Sequence, residues 1–188
     1  MKHGWIAAIG MAVLTVGSAA WAQVPKPTIP TPTIPGVRPT IPPIIKECRD
    51  PAAISLKFRV VSRDPKWPTT QGRIRIEGVV KNVGNAAFES DPRQAVAELS
   101  EVPAAGRGTV KAHQNIPRLD PGAQIILHYE TAWDTAREFP PKYVLQITYD
   151  PDIYLDANKK NDDCNRNNNR TELTGDQIRR TWPPPPSR

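Results

Sequence analysis

The chain has 188 residues, 22 of them proline, with 38% hydrophobic residues, two cysteines and 25 basic against 19 acidic side chains, a formal net charge of +6. That is enough sequence for one domain with a real core but not for two. The charge excess is mild and its basic residues are scattered without interleaved aromatics, which argues against nucleic acid as a partner and for weak attraction to acidic surfaces.

Residues 1–22 open with Lys2 and His3, continue through an apolar run from Trp5 to Val16 and end in Ala20-Trp21-Ala22. This is the three-part layout of a cleavable signal peptide, and the run is too short to span a bilayer comfortably. The mature chain is therefore expected to start at Gln23, to carry no transmembrane segment and to be exported. An exported chain with an even pair of cysteines, Cys48 and Cys164, defaults to one disulfide. A structural metal site is disfavoured, since there is no C-x-x-C and only His113 and His128 follow the leader.

Residues 23–46 form a proline-rich linker. Three TIP repeats lie between Val24 and Pro43, and proline at every second or third residue removes donors and fixes φ, so an extended polyproline II spacer is expected. A ligand for a partner's aromatic groove is the sharper alternative. The domain is assigned to residues 47–181, and residues 182–188 form a second proline-rich tail.

Within the domain, period-two alternation marks strand A at Ala53 to Val61, with Ile54, Leu56, Phe58 and Val60 on one face. Asp64-Pro65 and Trp67-Pro68 break it. Strand B runs from Arg73 to Val83 with Gly78 as a bulge or close approach, and ends in the turn Asn82-Val83-Gly84-Asn85, whose residues tolerate left-handed backbone angles. Strand C covers Gln94 to Ser100, and strand D Thr109 to Ile116. Asp120-Pro121-Gly122 fits a type II turn leading into strand E around Ile125 to Tyr129, a segment apolar enough to be covered on both faces. Trp133 is placed in the loop after it. Strand F is Lys142 to Tyr149, and strand G begins near Arg170 and extends as far as Arg179.

Seven short strands with turn signals between them and no convincing helix predict an all-β fold, an immunoglobulin-like antiparallel β-sandwich, with a closed barrel as runner-up. Strand parity then puts the start of A and the turn between F and G at one end, which makes the Cys48–Cys164 pairing topologically sensible.

The segment between F and G holds five aspartates and six asparagines. Asp150, Asp152, Asp156 and Asn158 are candidate calcium ligands, because hard oxygens are what calcium takes. The EF-hand spacing fails, since Tyr154 occupies the fifth position and Asn161 the twelfth. The competing reading is a set of side chains bonded to neighbouring backbone. No nucleophile elbow accompanies His113 or His128, so no catalytic residue and no cofactor is assigned. Trp67, Trp133 and Trp182 are candidate surface anchors for a partner.

Three segments, Asn82-Val83-Gly84-Asn85-Ala86, Leu119-Asp120-Pro121-Gly122 before an apolar strand ending at Trp133, and Tyr143-Val144-Leu145 leading to Asp150-Pro151-Asp152 and an asparagine cluster, resemble CARDB, the cell-adhesion-related domain found in bacteria. They follow the family's order over about Arg73 to Leu173, with the stretch carrying Cys164 reading as an insertion. The resemblance implies a bacterial, periplasmic or secreted immunoglobulin-like module without catalysis. The expected function is a non-catalytic binding or adhesion-type module contacting a protein or envelope component. The alternatives are a calcium-stabilised adhesin-like domain and a small extracytoplasmic hydrolase.

Overall fold

The computed structural model describes residues 45–183. The leader, the spacer up to residue 44 and the last five residues lie outside the described part, and so do the expectations made for them. Nine strands follow in chain order: β1 Pro51–Ser62, β2 Gln71–Asn82, β3 Phe88–Glu89, β4 Ala95–Val102, β5 Thr109–Asn115, β6 Arg118–Leu119, β7 Gln124–Asp134, β8 Lys142–Tyr149 and β9 Arg170–Leu173. A helix, α1 Gly175–Arg180, closes the fold.

The strands form two antiparallel sheets, β1-β2-β7 and β5-β4-β8-β9, with β3 and β6 pairing as a small separate ribbon. The sheets pack face to face as the sandwich that the alternation predicts. From β2 come Ile74, Ile76 and Val80, from β4 Ala97 and Leu99, from β7 Ile125 and Leu127, and from β8 Tyr143, Leu145 and Ile147, all buried in one core. Tyr143 lies between Tyr129 and Trp133, at ring-centroid distances of 6.4 and 6.3 Å. Gly78 faces Leu145 so closely that a Cβ there would sit 2.9 Å from Leu145 Cδ1. The glycine thus serves close packing of the sheets, and the irregularities lie in β1, between Ala53 and Ser55 opposite Val79 and Val80 and again between Val60 and Ser62.

Several expectations change. The bulge makes Ile54 an extra residue, 47% exposed, so it leaves the inward row of Leu56, Phe58 and Val60. Strand β7 is covered on one face only: Ile126 is 44% exposed and His128 is also exposed, while Ile125 and Leu127 are buried. β7 also runs longer than expected and carries Trp133, 5% exposed, into the core instead of leaving it in a loop.

The last strand ends at Leu173, and α1 replaces the rest of the predicted strand G. Its start is a capping box, in which Thr174 Oγ1 accepts from Gln177 N–H while the Gln177 side chain accepts from Thr174 N–H. Ile178 anchors the helix with no exposed surface, and Gly175 packs on Pro140, where a Cβ would meet the ring at 2.4 Å. Among the described residues no helix is long and apolar enough to cross a membrane.

Candidate functional site

The polar segment between β8 and β9 folds back on the start of β1. Cys48 and Cys164 form a disulfide with their Cα atoms 5.5 Å apart, closing a separation of 116 residues. Arg49 and Asp163 make a parallel bridge beside it, where Cys164 N–H donates to Arg49 C=O at 2.9 Å.

Three of the four predicted calcium ligands, Asp150, Asp156 and Asn158, have local roles. Asp150 caps the 3-10 helix Pro151–Tyr154, accepting from Asp152 N–H at 3.0 Å. Asp156 accepts from Asn158 N–H at 2.8 Å, from Gln94 Nε2 at 2.9 Å and from Asn161 Nδ2 at 2.6 Å. These donors, the Asn158 N–H first, hold its carboxyl below the ordinary range. Asn158 accepts from Lys160 N–H and donates to Glu89 C=O. Asp152 is exposed. Calcium needs six to eight converging oxygens. Among the described residues, however, the one set of three or more His, Cys, Asp or Glu groups that converges is Cys48, Asp50 and Cys164, whose sulfurs are spent on each other. The four predicted ligands are therefore not brought together.

Behind the loop lies a buried polar layer that the sequence reading missed. Asp163, 8% exposed, accepts from Tyr149 Oη at 3.0 Å, Asn169 Nδ2 at 2.7 Å and Asn165 N–H at 2.9 Å. Burial, followed by the neighbouring Asp163 carboxylate, pushes the Tyr149 phenol far up. Asp50, 7% exposed, accepts from Asn168 Nδ2 at 2.8 Å. The available signal was the run Asn165 to Asn169: amides that both donate and accept are what a buried carboxylate needs around it. Arg166 stacks over Tyr154, 3.4 Å from the ring centroid, and Ile153 is fully buried. The loop is thus pinned by a covalent bond, an apolar peg and a hydrogen-bond network.

The tryptophans occupy the opposite end. Trp67 is 43% exposed in the β1–β2 loop, and with Trp133, Gln71, Asp134 and Arg137 it lines an open cleft of about 360 Å³. Trp182, expected in the tail, packs against the core, donates its Nε1–H to Thr69 C=O at 3.2 Å and carries the Arg63 guanidinium 4.7 Å from its ring. Of the three candidate anchors, only Trp67 is largely available to a partner.

His113 and His128 both sit on exposed strand faces. His128 Nδ1 is 3.7 Å from Glu77, and among the described residues neither histidine hydrogen-bonds to a hydroxyl. The arrangement that activates a serine or threonine is therefore not formed by either.

No family model matches the chain, and no curated protein does. Among solved structures it is similar in part to β-glucosidase 3B from Thermotoga neapolitana in complex with glucose, with 12% identity over 69% of this chain and 16% of that one at a TM-score of 0.31. It is also similar to a β-glucosidase involved in saponin metabolism from intestinal bacteria, with 16% identity over 66% of this chain and 15% of that one at a TM-score of 0.28. A β-glucosidase from Erythrobacter marinus gives 19% identity over 64% and 15% at a TM-score of 0.28. The chain thus spans about one sixth of the length of these enzymes, and likenesses at such TM-scores carry no argument about what it does.

Proposed function

We propose that the protein is an exported, non-catalytic β-sandwich module of the CARDB type, acting in the periplasm or outside the cell by contact with a protein or envelope component. The observation that carries this reading is the Cys48–Cys164 disulfide, which staples the start of the domain to its most polar loop. Structural disulfides belong to oxidising compartments, and the signal-peptide layout of residues 1–22 points the same way. Non-catalysis is supported by how the reactive groups are used. Both cysteines are oxidised, the carboxylates of Asp150, Asp156 and Asp163 bond backbone and amides, and the histidines lie on open strand faces.

The test is fractionation of cells expressing the tagged full chain, with thiol alkylation before and after reduction. The expected result is release by osmotic shock or into the medium, with leader removed and both thiols protected. Cytoplasmic retention, or free thiols in the exported pool, overturns the reading. Chemical crosslinking in intact cells, with and without residues 24–43, then asks whether the spacer contributes contacts; loss of the adduct on deletion would replace the spacer role with a binding one.

A further inference from the structure

The solvent face of β1-β2-β7 carries charge that the rest of the domain does not. Because Ile74, Ile76 and Val80 point inward with no exposed surface, Arg73, Arg75, Glu77, Val79 and Lys81 point outward along β2. Register aligns Arg59 with Arg75 and Glu130 in one row, and Lys57 with Glu77 and His128 in the next. The face thus holds five cations, Lys57, Arg59, Arg73, Arg75 and Lys81, against three carboxylates, Glu77, Glu130 and, at its far end, Asp134, an excess of two. Residues 45–183 as a whole hold 21 basic and 19 acidic side chains, an excess of two. One sheet face therefore accounts for the whole net charge of the described domain, and the rest is balanced. The outer face of the other sheet is balanced, with Glu98 and Glu172 against Lys142 and Arg170.

The carboxylates leave much of this field in place, Asp134 being taken up by Gln71 Nε2 and Ala136 N–H. Glu130 is already shared, accepting from Arg75 Nε at 2.7 Å with Arg73 Nη2 at 3.8 Å. The Arg73 side chain stays 50% exposed, and Lys57 and Arg59 are exposed. Beyond the charged rows, the next row pairs Val79 with Ile126, 44% exposed, and Ile54 is exposed at the bulge beside them. Cations next to accessible aliphatic side chains match an anionic headgroup layer, where phosphates take the charges and the acyl boundary takes the methyls. A soluble polyanion would use only the charges.

We propose that the solvent face of the β1-β2-β7 sheet docks on the anionic phospholipid headgroups of a membrane, with Lys57, Arg59 and Arg73 as the principal contacts and Ile126 at the apolar margin. The inference rests on the surface role proposed above and names its partner.

The experiment is co-sedimentation of the mature, oxidised chain with vesicles of phosphatidylcholine alone or mixed with phosphatidylglycerol, at low and physiological salt. Binding is expected only with phosphatidylglycerol and weakens as salt screens the charges. The combined variant Lys57→Gln, Arg59→Gln, Arg73→Gln is expected to lower affinity on the order of a hundredfold. Lys142→Gln with Arg170→Gln, on the opposite face, is expected to bind as the parent does, and circular dichroism of both variants checks that the sandwich is intact. Equal binding to both vesicle types, an unaffected triple variant, or binding to a sulfated polysaccharide but not to vesicles overturns the proposal. Fractionation is scored separately, so an exported chain that ignores vesicles loses this surface while keeping its envelope role.

Discussion

Asn82 has no exposed surface, and both ends of its side-chain amide are used. Its Oδ1 accepts from Asp50 N–H at 3.2 Å and Gly84 N–H at 3.0 Å, while Nδ2 donates to Ala86 C=O and Leu119 C=O, each at 2.8 Å. One residue therefore ties the start of β1, the turn after β2 and the end of β6. Removing it strands several buried backbone groups at once, each with a desolvation penalty of about 1–3 kcal/mol. Asn82→Ala is expected to destabilise by about 3 kcal/mol or more, read as a lower urea midpoint with an unchanged slope. Asn82→Asp, which keeps the acceptor but sets a buried carboxylate oxygen against the Ala86 and Leu119 carbonyls, should be no milder. Two residues on, Gly84 was legible as a turn glycine, but for the wrong reason. Its role is proximity, since a Cβ would lie 2.1 Å from Cys48 C=O. That contact spans 36 residues of chain, and local turn chemistry carries no trace of it.

At the scale of elements, the loop between β8 and β9 makes its own prediction. Replacing both cysteines by serine frees a closed loop of 116 residues, which chain entropy values at about 4–5 kcal/mol. The double variant should melt well below the parent and behave like the parent under reducing conditions, as scanning calorimetry would read. Because Asp150, Asp156 and Asn158 are bonded within the loop, millimolar calcium is expected to leave the melting temperature of the parent unchanged. An upward shift with calcium would show that the loop rearranges around an ion. Helix α1 gives a third case. Ile178→Ala should cost about 2–4 kcal/mol, because the side chain is fully buried and the helix is too short to hold itself.

These elements also show where sequence patterns stop. Strands β2, β4 and β8 were readable because one face is buried and the alternation is clean. The two-residue ribbon β3–β6 has no period to detect. α1 has only six residues, and a short apolar residue pattern there fits strand or helix equally. The capping box Thr174-Gly175-Asp176-Gln177 was the signal that could have separated them. Of the candidate site, the disulfide and the local bonding of the acidic loop were legible. The basic sheet face was not, because it assembles Lys57, Arg73 and Glu130 from three separated strands whose pairing the sequence leaves open.

For the molecule as a whole, two sets of ionisable groups define the pH range over which the sandwich is stable. Five carboxyls are held below their ordinary values: Glu89 by its bond from Lys160, Glu130 by Arg75, Asp134 by the Ala136 N–H, Asp156 by the Asn158 N–H and Glu172 by Lys142. A carboxyl depressed by folding contributes stability above its unfolded pKa and loses it as pH falls through the folded one. The acid limb should therefore begin below about pH 4.5 and be shallow, since these groups are largely solvated and screened by salt. Tyr143 and Tyr149 do the opposite. Burial raises both phenols far above the ordinary value of 10.0. A group raised by folding keeps its contribution below the unfolded pKa and loses it as pH climbs above that value. Stability should hold flat from about pH 5 to 10 and then fall steeply, because desolvation penalises the phenolate at both rings, Tyr143 buried in the core and Tyr149 half-buried beside the Asp163 carboxylate. Urea titrations at stepped pH would show the two limbs. Tyr143→Phe removes one titrating group and should soften the alkaline limb at little cost near neutrality, as its hydroxyl has no hydrogen-bond partner among the described residues. Tyr149→Phe should soften it too, but at a cost of about 1 kcal/mol at neutral pH, since Asp163 then loses a buried donor. An alkaline limb that keeps its full steepness in the double variant would mean that the sandwich opens at high pH by deprotonating some other group.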